Sequence, residues 1–170
     1  QLQTDRRQGE AMLSAGMLST FPALVINSLL FPMGLAAIGI TGVAMTEALT
    51  VTVSAPVGEE ICKFVAVLSL RGMIDSSRRG LQVGFTVGLG FAMLENLQYV
   101  LLSLVAEPTT AAFSYGFTSV IRGIGSIPGH AVWTGVSGYA LGCVQAKHAH
   151  HVEKATSSSA TWGLFNAQTG

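Results

Sequence analysis

Two adjacent carboxylates and an ammonium group lie inside a long apolar stretch of this chain. Glu59 and Glu60 precede Lys63 by four and three residues, so on a helix the lysine can pair with either of them. The surrounding run, residues 44–70, is long enough to cross a bilayer at about 1.5 Å per residue. Charges at that depth are costly, and ordinary packing does not require them. The group therefore predicts a functional site within a membrane.

Three further polar residues in apolar runs extend this chemistry. Glu95 and Asn96 are adjacent, and His130 follows a Pro-Gly pair. A carboxylate or an imidazole can move protons, and an amide can donate a hydrogen bond to a developing oxyanion. We expect Glu59, Glu60, Glu95 and His130 to converge on one cavity between at least three helices. Their side chains can activate a water molecule directly or bind Zn²⁺ or another divalent metal, with Glu60, Glu95 and His130 as the candidate ligands.

The two neighbouring glutamates are expected to have different roles, one in an ion pair and the other in the chemistry. Glu59 stands four residues before Lys63 with the acid on the N-terminal side, which is the better orientation for an ion pair on a helix. We therefore predict that Glu59 pairs with Lys63, and that Glu60 faces the water or metal.

Plainer interpretations stay open beside these. The Glu-Glu-Lys group can be a structural ion pair, Glu95–Asn96 a hydrogen-bonded clamp between helices, and His130 an interfacial histidine. Arg122 is interpreted as an interface anchor or a partner for Glu107. The sequence contains no HExxH, P-loop or GxSxG motif, so those enzyme classes have no support.

Composition indicates the class of fold. The chain is 49% hydrophobic and 11% charged, against about 25% charged in a typical soluble domain, and it contains 20 glycines. We predict an all-α, polytopic transmembrane helix bundle with kinked catalytic helices. About four spans are expected, at residues 11–31, 44–70, 81–105 and 117–146. The net charge is zero, so nucleic acid is not an expected partner, and Cys62 and Cys143 are read as free thiols.

The distribution of basic residues predicts the topology. Most Lys and Arg lie in the N-terminal segment, in the loop of residues 71–80 and in residues 147–154, whereas the connectors 32–41 and 106–116 have none. The positive-inside rule then places both ends of the four-span unit in the cytoplasm. Residues 1–147 are predicted to form the transmembrane catalytic bundle. Residues 148–170, which include three histidines, are predicted to be a polar tail or loop holding a possible remnant of a further helix motif.

Three motifs in order resemble those of PrsW-type intramembrane proteases. The first is the EExxK motif of residues 59–63, and the second is the GxGFAxxENxxY pattern of residues 88–99. The third is the Pro-Gly-His sequence at residues 128–130, which continues into GYALG at residues 138–142. The resemblance covers residues 45–142. It departs from the family near the C-terminus, where Trp162 stands at the place expected for a histidine and no apolar span precedes it.

The resemblance implies an intramembrane endopeptidase that hydrolyses peptide bonds of membrane-associated proteins with a Glu-activated water, which is either free or bound to a metal. Its essential groups would be Glu59, Glu60, Glu95 and His130, with Asn96 as support. The expected partners are the lipid bilayer and a membrane-protein or lipid-anchored peptide substrate. The expected location is the plasma membrane of a prokaryote, where the chain would be a multi-pass protein.

Two other functions remain possible from the sequence. The buried Glu and Lys residues can form the relay of a proton- or ion-coupled transporter, or the chain can be a membrane scaffold with a degenerate site. An enzyme would lose substrate processing in Glu60→Gln while it remained folded. A carrier would instead lose pH-dependent transport.

Overall fold

The structure is a computed structural model that describes residues 2–106, 116–117 and 119–168. The described residues form an all-α bundle without strands. The helices are α1 (Leu2–Val25), α2 (Phe31–Ala37), α3 (Val43–Leu49), α4 (Ala55–Ser69), α5 (Ser77–Ala106) and α6 (Ile127–Gln168).

The described residues contain three π-helical turns, and each turn ends at the same distance before a proline. Ile26–Leu30 links α1 to α2, Thr50–Ser54 links α3 to α4, and Arg122–Ser126 leads into α6. The prolines, at positions 32, 56 and 128, each follow the last residue of the turn by two. Proline has no N–H and crowds the carbonyl four residues before it, so the preceding turn widens to i→i−5 bonds. The N–H of Phe31 accordingly donates to the carbonyl of Ile26.

The outer surface of the bundle is apolar. Large hydrophobic side chains are exposed on every long helix, among them Leu18, Ile61, Leu102 and Trp133. A water-soluble fold buries such side chains, whereas lipid solvates them. Two helical stretches, Gln3–Ala37 and Ser77–Leu102, are long and apolar enough to cross a membrane. The chain is therefore a membrane helix bundle, as the sequence predicted.

A stripe of glycines brings α5 and α6 into backbone contact. A Cβ on Gly88 would lie 2.8 Å from the Cα of Ala131, and a Cβ on Gly84 would overlap the carbonyl of Thr134. Only glycine permits so close an approach, as in the small-residue interfaces of membrane helices. Because Gly88 lies two turns before Glu95 on α5, this contact fixes the start of α6 beside that carboxylate.

One end of the bundle carries most of the basic residues. Arg79 donates a hydrogen bond to Gln8 of α1, and Gln145 of α6 donates one to the carbonyl of Arg71, so these segments meet. Seven of the nine Lys and Arg residues belong to the segments at this end, and the other two, Lys63 and Arg122, lie in the interior site. The seven are Arg6, Arg7, Arg71, Arg78, Arg79, Lys147 and Lys154.

Two boundaries differ from the sequence prediction. The first helix does not end at residue 31 but runs through the π turn to Ala37, because a proline near the start of an α-helical segment is tolerated after the turn has widened. Residues 148–168 are not a loop, since α6 continues to Gln168. No Gly or Pro stands between Gly142 and Gly163, so nothing in the sequence ends the helix there. Most of the predicted connector 106–116, with Glu107, lies outside the described residues.

Candidate active site

Three helices each contribute one side chain to a compact cluster. Glu59 on α4, Glu95 on α5 and His130 on α6 offer a carboxylate oxygen or ring nitrogen each, and these atoms lie within 4.8 Å of one another. All three side chains are largely buried. The sequence prediction that these residues converge between at least three helices is confirmed.

His130 lies between a carboxylate and an ammonium group. Its Nε2 is 2.9 Å from Oε2 of Glu95, and its Nδ1 is 2.7 Å from Nζ of Lys63. The lysine ammonium can only donate, so we assign Nδ1 as the acceptor and Nε2 as the protonated nitrogen that donates to Glu95. The ring of Phe91 packs against both partners, at 5.2 Å from the imidazole and 4.4 Å from the ammonium.

Lys63 is 1% exposed and binds the second glutamate of the pair. Its Nζ lies 2.5 Å from Oε1 of Glu60 and 3.9 Å from Oε2 of Glu59. The predicted division, with Glu59 as the main partner of Lys63, is therefore reversed. The reason is that Glu59 turns toward Glu95 and His130, while Glu60, three residues before the lysine, stays within direct reach.

Arg122 holds the carboxylate of Glu95 from the other side. Its Nη2 donates to Oε2 of Glu95 at 2.6 Å, and its Nε donates to Oδ1 of Asn96 at 2.8 Å. The guanidinium also lies over the ring of Tyr99, at 3.8 Å from the centroid. The charge-assisted hydrogen bond holds the Glu95 carboxylate in place, and the second donor ties the guanidinium to Asn96. Arg122 thus belongs to the site, and interpreting it only as an interface anchor was wrong.

Polar residues of the π turns support the first glutamate as well. Asn27 donates from Nδ2 to Oε1 of Glu59 at 3.4 Å, and Ser54 donates to Oδ1 of Asn27 at 2.7 Å. Neither residue was predicted from the sequence. Asn27 lies five residues before Pro32 and Ser54 two residues before Pro56, and polar side chains this close to a proline in an apolar run were the available signal.

All three π turns supply side chains to the site. Asn27, Ser54, Arg122 and Ser126 belong to them, and Arg122 also donates to Oγ of Ser126 at 3.2 Å. A π turn shifts the following residues around the helix axis and is frequent at functional sites. In the sequence, Arg122 is the charged residue of the apolar run 117–146, and this was the available signal for the arginine.

The cluster opens onto a cavity of about 530 Å³ between α4, its preceding π turn and the start of α6. Glu59, Glu60, Glu95 and His130 all line it, as predicted, and so does Arg122. Asn96 is not among the described residues that line it. The predicted role of Asn96 as an oxyanion donor thus has less support than a role in holding Arg122.

The donor set fits a divalent metal. Two carboxylates and one imidazole are ligand types that Zn²⁺ accepts, and a catalytic zinc site commonly has three protein ligands. The group that the structure assembles is Glu59, Glu95 and His130, whereas the sequence prediction had Glu60 in place of Glu59. Glu60 lies against Lys63 instead, so the structure favours Glu59 as the ligand from this pair.

The sequence model of one protein family matches almost the whole chain. It is described as PrsW family intramembrane metalloprotease and matches residues 9–169. No curated protein and no solved structure matches the chain.

Proposed function

Because the chain belongs to the PrsW family of intramembrane metalloproteases, we propose that it hydrolyses peptide bonds of membrane-associated protein substrates at the cavity beside Glu59, Glu95 and His130. The observation that carries the proposal is that these three side chains, from three helices, bring ligand atoms within 4.8 Å of one another at the cavity wall. Structural ion pairs alone do not require such a set.

In this proposal Glu59, Glu95 and His130 would hold a divalent metal, for which Zn²⁺ is the first candidate, and its binding would displace the ring proton that His130 otherwise donates to Glu95. When bound, the ion supplies Lewis-acid activation of a water molecule and of the scissile carbonyl. Arg122 fixes Glu95 from outside the cluster, and Asn27 does the same for Glu59. Partners of this kind set the orientation of ligand side chains.

Glu60 is the carboxylate left for proton transfer. It lines the cavity, its side chain is 38% exposed, and it is not part of the three-residue cluster. We assign to it the acceptance of a proton from the attacking water and its return to the leaving amine. Lys63 holds Glu60 in place through the 2.5 Å contact.

The walls of the cavity suit an extended apolar peptide that arrives from the bilayer. Val51, Pro56 and Trp133 line it, and Trp133 is 66% exposed to the surroundings of the bundle. Gly125 and Gly129 present bare backbone on the α6 side. A membrane-protein segment or a lipid-anchored peptide meets such walls without crossing water.

We further propose a four-span topology in the plasma membrane of a prokaryote, with the basic end in the cytoplasm. The meeting of α1, the start of α5, the loop before it and α6 at one end supports this arrangement. A Ser76→Cys probe should react with a membrane-impermeant maleimide only in inverted vesicles. Reaction from outside intact cells would exclude this topology.

Proteolysis can be tested with purified protein in detergent and fluorescein-labelled casein as the probe. The wild-type chain should release labelled peptides, and folded Glu60→Gln should not; thermal unfolding is recorded beside the cleavage rate, because Lys63 loses its nearest carboxylate in this variant. Glu47→Gln is the matched control. Glu47 lies on α3, which the π turn Thr50–Ser54 joins to α4, and it is exposed and does not line the cavity. Equal rates for Glu60→Gln and Glu47→Gln would reject the proposal.

A further inference from the structure

A second cavity, of about 260 Å³, lies on the far side of the two carboxylates. It shares Val51, Ala55, Glu59 and Glu95 with the first cavity. Glu59 and Glu95 therefore lie in the wall between the two cavities. The first cavity continues toward α6, whereas the second continues between α1, α5 and the π turn Thr50–Ser54.

The second cavity is rich in uncharged polar side chains, although the bundle around it is apolar. Within the part of the chain that the structure describes, no protein group hydrogen-bonds to the side chains of Gln98 and Ser28. The hydroxyls of Thr20 and Thr50 donate to carbonyls of their own helices and keep their acceptor sites open. Polar groups at membrane depth need partners, and where protein supplies none, water does. The polar lining residues are Thr20, Asn27, Ser28, Thr50, Gln98 and Tyr99.

The cavity also has a direction. Gln98 and Leu102 lie three and seven residues beyond Glu95 on α5, so the cavity extends about 10 Å along that helix. This course leads away from the loop of residues 71–80 and toward the end where α2 ends and α3 begins. The lining residues nearer the basic end, Thr20, Ala23 and Phe91, are buried, so the cavity is closed toward that end.

We propose that the second cavity is filled with water and delivers the hydrolytic water to Glu59 and Glu95 from the side of the membrane opposite the basic loop. The first cavity, with its apolar wall, then receives the peptide, so the two reactants reach the carboxylates from different sides. The role of this water as a reactant rests on the proposed hydrolase function, whereas the presence of water in the cavity does not.

Thiol labelling of the full-length chain in proteoliposomes tests whether this space holds water. Gln98→Cys is the cavity probe and Leu97→Cys its control, because Leu97 is the neighbouring residue on α5, is 52% exposed on the outer surface and lines neither cavity. The reagent is methanethiosulfonate ethylsulfonate, which is charged and does not cross lipid. Thr50→Cys with Val53→Cys as its control repeats the comparison on another helix. Labelling of the native Cys62 and Cys143 in the unmodified chain is subtracted.

The cavity probes should react at least about tenfold faster than their controls, because the reacting thiolate forms only where water reaches it. The reaction should occur from the side opposite the basic loop. Rates equal to the controls, or reaction only from the basic side, would overturn the proposal. If one probe variant does not fold, the pair on the other helix decides. Labelling needs no proteolysis, so rapid labelling in a chain that never cleaves casein would reject the hydrolase function and leave the water-filled cavity standing.

Discussion

The backbone contact between Gly88 and α6 should control the catalytic geometry more than it controls stability. In Gly88→Ala the new Cβ would lie 2.8 Å from the carbonyl carbon of His130 and from the Cα of Ala131. Ordinary contacts begin at 3.4 Å, so α5 and α6 must separate by at least about 0.6 Å, the difference between these distances. If the two helices separate along the direction of the hydrogen bond from His130 to Glu95, its length increases from 2.9 Å to about 3.5 Å, and the hydrogen bond is lost.

Displacements of this size reduce rates strongly. A misplacement of about 1 Å can cost about a hundredfold in activity, so we expect Gly88→Ala to lose between about ten- and a hundredfold in casein hydrolysis. Overpacking should lower the free energy of unfolding by about 1–3 kcal/mol. Gly80→Ala is the matched control. Its Cβ would meet Gly138 on the same interface, but about 12 Å nearer the start of α5 and away from the site.

Thermal unfolding and casein hydrolysis are measured on both variants. The expected result is a similar loss of stability in the two and a loss of activity mainly in Gly88→Ala. If both variants lose activity in proportion to stability, or if Gly88→Ala hydrolyses casein at the wild-type rate, the idea that this contact positions His130 is wrong.

Two further predictions concern the charged residues. Glu60→Gln leaves the buried ammonium of Lys63 without its nearest carboxylate and should destabilise the chain by about 1–3 kcal/mol, and Lys63→Met with Glu60→Gln should recover much of this in thermal unfolding; no recovery would mean that the pair is not the cause. Arg122→Gln should weaken zinc binding by about 10- to 100-fold in competition with a chromophoric chelator, because Glu95 loses the charged donor that orients it. Arg122→Lys should restore part of the zinc affinity. An unchanged zinc affinity in Arg122→Gln would show that the arginine does not support the metal site.

The sequence predicted the helix bundle and the meeting of its main site residues for physical reasons that need no coordinates. Ionisable side chains such as those of Glu59, Glu95 and His130 are too costly to face lipid, so a bundle must turn them toward one another. The abundance of glycine was visible in the sequence, but the close contact of α5 with α6 at Gly88 and His130 is a finding of the structure.

What the sequence could not supply depends on rotation about the helix axis. The π turn Thr50–Ser54 changes the direction in which α4 presents its side chains, and this places Glu59 rather than Glu60 in the cluster. The same effect before α6 brings Arg122 to Glu95. An α-helical periodicity of 3.6 residues, carried through a π turn, gives the wrong face.

The most direct measurement is the metal content of the purified chain after loading with Zn²⁺ and removal of the excess. The account predicts about one ion per wild-type chain, as a three-ligand catalytic site would hold. Glu59→Gln should lose that ion, whereas Glu60→Gln should keep it and fail to hydrolyse casein. The opposite pattern, in which Glu60→Gln loses the ion and Glu59→Gln retains it, would contradict the assignment of Glu59, Glu95 and His130 as the metal site.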